Sequence, residues 1–153
     1  MTYTSADLAL FKPLSQAQER VGTAYFEFHP KDLTEPNACW LPGSLLLQDA
    51  AFDFFAECFH RADPDFDYFS FQSYDTEGIW RICSELQGFV DSLSALPSRS
   101  VLFSRYSSLF KEQIWAEVAT EKLAPSVRIC GAELLEFIRA QTLQSQRLWV
   151  LGM

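Results

Sequence analysis

Hydrophobic and polar positions fall into a few distinct patterns along the chain, and each predicts an element. Residues 21–28 are rich in aromatic and β-branched types, set Ala24, Phe26 and Phe28 on one side and stop before Pro30, which reads as a strand. Residues 31–43 carry Pro36 and Pro42 with little periodicity, so they read as a loop with Trp40 folded back onto the core. A helix is predicted to start near residues 44–48 and to run to about Ala62. Along it Ala51, Phe52, Phe55, Cys58, Phe59 and Ala62 fall within roughly 120° of one another, and Asp49, Asp53, Glu57 and His60 take the opposite side. Residues 63–74 make a short extended or looped piece. Asp75 then suits a helix N-cap, with Thr76 and Glu77 in the first turn. The helix that follows has the clearest period in the chain, because Ile79, Ile82, Cys83, Leu86, Phe89, Val90, Leu93 and Leu96 recur every three or four residues until Pro97. A third helix is predicted over residues 104–122 through Tyr106, Phe110, Ile114 and Val118, ending before Pro125, and a fourth over residues 132–144. The closing Leu148–Leu151 is an unbroken apolar run, as in a strand buried on both faces.

Together these elements predict an α+β fold, with about four helices packed on a small sheet that includes residues 21–28 and the C-terminal strand. The pattern leaves strand order and oligomeric state open. A length of 153 residues fits one domain over 1–153, and a hydrophobic share of 48% can fill its core. No apolar run reaches membrane-spanning length, and the first residues lack the basic and apolar regions of a leader peptide, so the expectation is a cytoplasmic protein. Cys39, Cys58, Cys83 and Cys130 are far apart and form no CxxC, which predicts reduced thiols in place of a zinc or redox site.

Charge changes the picture. The net charge is −8, and residues 49–77 hold Asp49, Asp53, Glu57, Asp63, Asp65, Asp67, Asp75 and Glu77 against Arg61 alone. The rest of the chain is close to neutral. Such a charge repels phosphate backbones and anionic headgroups, so neither nucleic acid nor a membrane is an expected partner. The acidic window is also dense in aromatic residues. Spacing Asp49, Asp53 and Glu57 at i, i+4 and i+8 costs an isolated helix roughly 0.2–0.5 kcal/mol per pair. A surface for a basic protein would gain from that arrangement by steered association, with Tyr68 and Tyr74 as aromatic anchors. The predicted partner-binding residues are therefore Asp49, Asp53, Glu57, Asp63, Asp65, Asp67, Tyr68, Tyr74 and Asp75. Phe52, Phe55 and Phe59 read as core, whereas Phe54, Phe66, Phe69 and Phe71 are candidates for exposure. The plain alternative is a solvated acidic helix face with no partner.

Chemistry has few resources. Asp63, Asp65 and Asp67 resemble the opening of a calcium loop, but Tyr68 and Tyr74 stand where Gly and Glu are needed, so no metal is expected. His29 and His60 lie in no ligand spacing, and His60 and Cys58 point to opposite sides of a helix. A thiol served by His29 from elsewhere in the fold is an unspecific pairing. No phosphate-cradling or nucleophile-elbow motif occurs. The expectation is no catalytic residue, no cofactor and no enzyme.

Phe66-Asp67-Tyr68-Phe69, then Tyr74-Asp75 leading into the amphipathic helix, and the closing Leu148-Trp149-Val150-Leu151-Gly152 resemble bacterial immunity proteins, the cytoplasmic partners of polymorphic or contact-dependent toxins. The resemblance covers about a third of the chain. It implies a stoichiometric inhibitor that covers the active site of a cognate toxin, and the acidic window suits a toxin with a basic surface. Small acidic chaperones of secreted effectors share the size, low pI and α+β character, and form the alternative. A small enzyme of unknown class comes third.

Overall fold

Strand β1 (Tyr25–His29) forms where alternation is strict: Phe26 and Phe28 point into the helical layer and are fully buried, while Tyr25, Glu27 and His29 face the other side. In the computed structural model, which describes residues 2–30, 39–107 and 112–152, β1 pairs antiparallel with β2 (Leu45–Gln48) and with β4 (Leu148–Leu151). Strand β3 (Phe71–Tyr74) pairs antiparallel with β4, so the order is β2-β1-β4-β3. The last strand thus occupies an interior position, which is why its run is apolar throughout.

The helices are α1 (Asp49–Phe52), α2 (Ala56–Ala62), α3 (Thr76–Ser92), α4 (Arg99–Leu102) and α5 (Thr120–Gln144). Helix α3 packs on both α2 and α5, and Ile79, Ile82, Leu86 and Phe89 join one core with the inner face of the sheet. The architecture is α+β. Among the described residues no helix is long and apolar enough to cross a membrane.

Several segments depart from the periodicity. Residues 44–62 are not one helix: Leu45–Gln48 is a strand, and the helix after it breaks between α1 and α2. In an unbroken helix the Glu57 amide would donate to the Asp53 carbonyl. Here the Glu57 amide donates to the Arg105 carbonyl at 3.2 Å, and the Asp53 carbonyl accepts from the Ser107 amide at 2.8 Å. Residues 105–107 therefore wedge into the helix and satisfy both opened groups. The predicted helix over 104–122 is not found among the described residues before Thr120, where α5 begins: this wedge and a 3₁₀ turn, Glu112–Trp115, stand in its place, and Phe110 lies outside the described residues. Helix α5 begins at Thr120 and runs through Pro125, whose missing N–H removes one bond near the helix start. Helix α3 ends at Ser92, because the Ser94 amide and hydroxyl both donate to the Asp91 carbonyl, at 3.2 and 2.8 Å. Trp40 is half-buried over the outer sheet face, edge-on to Tyr25 and beneath the Arg20 guanidinium, rather than in the core.

Candidate functional site

The nine predicted partner-binding residues divide into an inner and an outer set. Asp53 is fully buried, and Tyr68 and Tyr74 are nearly so, which corrects their assignment to the surface. The wedge explains Asp53: the helix break removes the acidic stripe that helical spacing implied. Tyr68 Oη donates to Asp53 Oδ1 at 2.6 Å, and Tyr74 Oη donates to Asp63 Oδ2 at 2.8 Å. Asp49 is half-buried at the first position of its helix, where its side chain accepts from the Ala50 amide at 2.8 Å. Glu57, also half-buried, pairs with Arg61 at 3.6 Å. Phe54 and Phe66 are core, Phe71 is half-buried, and Phe69 is 61% exposed.

The two tyrosines button down residues 63–70, and the neighbouring backbone completes the clasp. The Gln72 side chain grips Asp67 from both sides, accepting from its amide at 2.7 Å and donating to its carbonyl at 2.8 Å. Asp63 Oδ1 accepts from the Asp65 amide, and Asp67 Oδ1 accepts from the Phe69 amide. Gly152 lies so close that a Cβ would sit 2.5 Å from the Tyr68 carbonyl oxygen, and its amide donates to the Ser70 carbonyl at 3.1 Å. Held this way, the loop turns Asp65, Asp67 and Phe69 to solvent.

Electrostatics sharpens the division. Burial pushes the Asp53 carboxyl up to about 7, with Asp49 adding to the shift and the Tyr68 hydrogen bond opposing it. Burial raises Asp49 as well. Asp63 and Asp75 share a polar hollow of about 320 Å³ with Arg81 and Arg147. Among the described residues the ion pairs are Glu57–Arg61 and Glu77–Arg81, so Asp65, Asp67 and Asp75 are the exposed acids of residues 49–77 without an ion pair, and of these Asp75 alone lines the hollow with Arg81 and Arg147. Asp75 accepts from the Gly78 amide as the predicted N-cap.

A second polar cluster escaped the sequence reading. Glu27, buried on the outer sheet face, accepts from the Trp40 amide at 2.6 Å, the Leu41 amide at 2.8 Å and the Ser44 hydroxyl at 2.6 Å. His29 Nδ1 lies 2.9 Å from the same hydroxyl. Because Ser44 donates its single proton to Glu27, His29 Nδ1 donates to the Ser44 oxygen in that arrangement and does not serve Ser44 as a base. The cluster's work is to anchor residues 39–44, including Trp40 at φ 58, a conformation bulky side chains rarely adopt. An acid mid-strand followed by a Gly-Ser turn was the available signal. Burial pushes the Cys58 thiol up to about 12, away from nucleophilic character. Among the described residues no three His, Cys, Asp or Glu side chains converge as a metal site requires.

In comparisons with known proteins, no family model, curated protein or solved structure matches the chain.

Proposed function

We propose that this protein acts by binding another protein, as a stoichiometric inhibitor of a toxin in the manner of the immunity proteins it resembles. The observation that carries the reading is the clasped loop of residues 63–70, with Asp65, Asp67 and Phe69 turned outward. A loop already fixed by hydrogen bonds loses little entropy on binding. An exposed aromatic beside carboxylates without an ion pair suits a partner with a basic cleft next to an apolar pocket. The test is affinity capture from the cells that make the protein, comparing wild-type bait with an Asp65→Asn/Asp67→Asn/Phe69→Ala bait. The expected result is one basic protein retained by the first and lost by the second. Recovery of no protein that depends on these side chains would refute the reading. An effector chaperone has one observation in its favour, the exposed apolar groove between α3 and α5, and sedimentation showing a dimer through that groove would turn the balance toward it.

A further inference from the structure

Helices α3 and α5 approach closely at one end. A Cβ on Gly131 of α5 would lie 3.0 Å from Val90 Cγ2 of α3 and 2.8 Å from the Phe55 ring. Toward the start of α3 there is instead a groove of about 530 Å³ between the two helices, lined among others by Thr76, Trp80, Cys83, Gln87, Arg139 and Leu143. Trp80 is 67% and Leu143 89% exposed. Most aromatic side chains of this fold are buried, so an exposed indole beside an exposed leucine marks a surface with an occupant.

Shape and charge define that occupant. Thr76, Trp80, Cys83 and Gln87 recur at i, i+4, i+7 and i+11 on one side of α3, a stripe about 16 Å long at the helical rise. Three turns of a second helix match that length, with apolar anchors one turn apart. Arg139 is the charged side chain in the lining, within a protein whose net charge is −8. Its guanidinium donates to Gln87 Oε1 at 2.6 Å, and the Gln87 amide in turn donates to Asp91 at 2.7 Å. That chain aims the guanidinium and leaves further N–H groups for a carboxylate.

We propose that the α3–α5 groove docks an amphipathic helix of a partner protein, with apolar anchors against Trp80 and Leu143 and a carboxylate on Arg139. The proposal rests on the groove and not on the toxin reading, so each can fail alone. The probe is a synthetic helical peptide with Leu at i, i+4 and i+7 and a flanking Glu, set against its Glu→Lys counterpart. Amide chemical shifts of the full protein report the binding site. The Glu peptide is expected to shift residues 76–87 and 139–143, and the Lys peptide to bind roughly tenfold more weakly. Arg139→Glu should reverse that order. Trp80→Ala should weaken the Glu peptide by roughly tenfold with no change in thermal unfolding, since the side chain is exposed. Equal binding of the two peptides, shifts elsewhere, or no binding by either would overturn the proposal. So would a dimer that Trp80→Ala dissociates, because the occupant would then be a second copy of the chain.

Discussion

Asp53 is the acid whose environment most shifts its protonation, because its carboxylate is fully buried and, among the described residues, its Oδ2 has no hydrogen-bond partner. The groups around it are Tyr68, which donates to it, and Asp49, which repels it, and no cation is among the causes of its shift. A pKa raised from 3.8 to about 7 means that the folded state binds a proton the unfolded state has already lost between those values. Stability from this group is therefore fully present below about pH 4 and is lost as pH rises through 7, by on the order of a few kcal/mol. Denaturant unfolding of wild type and Asp53→Asn across pH 4–8 should show the wild type losing stability relative to the variant as pH rises. Parallel curves would show that Asp53 stays ionised throughout. Sequence spacing placed Asp53 in solvent because it assumed a continuous helix; the wedge that turns it inward comes from residues 105–107, some fifty positions away, and no local pattern announces it. Tyr68 and Tyr74, expected at the surface as aromatic anchors for a partner, are buried instead, and their hydroxyls donate to carboxylates of their own chain.

Helix α3 shows what periodicity can deliver: its cap, its register and its buried face all follow from residues 75–93. Leu86 is fully buried at its centre, so Leu86→Ala should cost roughly 2–5 kcal/mol in equilibrium unfolding. A loss under about 0.5 kcal/mol would make the helix peripheral. Two helical glycines behave in opposite ways. Gly88 has open space where a Cβ would go, so Gly88→Ala should gain roughly 0.5–1 kcal/mol from helix propensity alone. At Gly131 the same change drives a methyl into the buried Phe55 ring and Val90, and overpacking of roughly 1–3 kcal/mol should outweigh the propensity gain. Calorimetric melting of both variants checks the pair, and equal shifts of the same sign would contradict the close approach of α3 and α5. Residues 104–122 carry a helical period without the helix: Tyr106, Ile114 and Val118 pack from a wedge, a 3₁₀ turn and a bend, with side-chain spacing that imitates a helix. Residues 45–48 mislead in the other direction, since Leu45, Leu46 and Leu47 are good helix formers that the edge of β1 recruits into a strand.

At the scale of the whole molecule, folding redistributes the charge that the sequence concentrates in residues 49–77. Asp53 goes inside, Glu57 and Glu77 meet arginines, and Asp63 and Asp75 share a hollow with Arg81 and Arg147. A net charge of −8 would attract a basic partner at long range, and within residues 49–77 the exposed acids that neither pair with an arginine nor share a hollow with one are Asp65 and Asp67, on the loop that carries Phe69. This separates two variants that sequence alone would treat alike. Asp65→Asn/Asp67→Asn should slow association with the captured basic protein at low salt, with the difference shrinking once ionic strength brings the Debye length below about 10 Å. Asp53→Gln/Glu57→Gln removes the same formal charge, yet one of those groups is buried and the other already paired, so the association rate should hold while the unfolding midpoint moves. Stopped-flow rates against salt for both variants decide the matter. Equal slowing would assign steering to total charge, and unchanged rates in both would place the docking surface away from residues 63–70, leaving the α3–α5 groove as the face that recognises a partner.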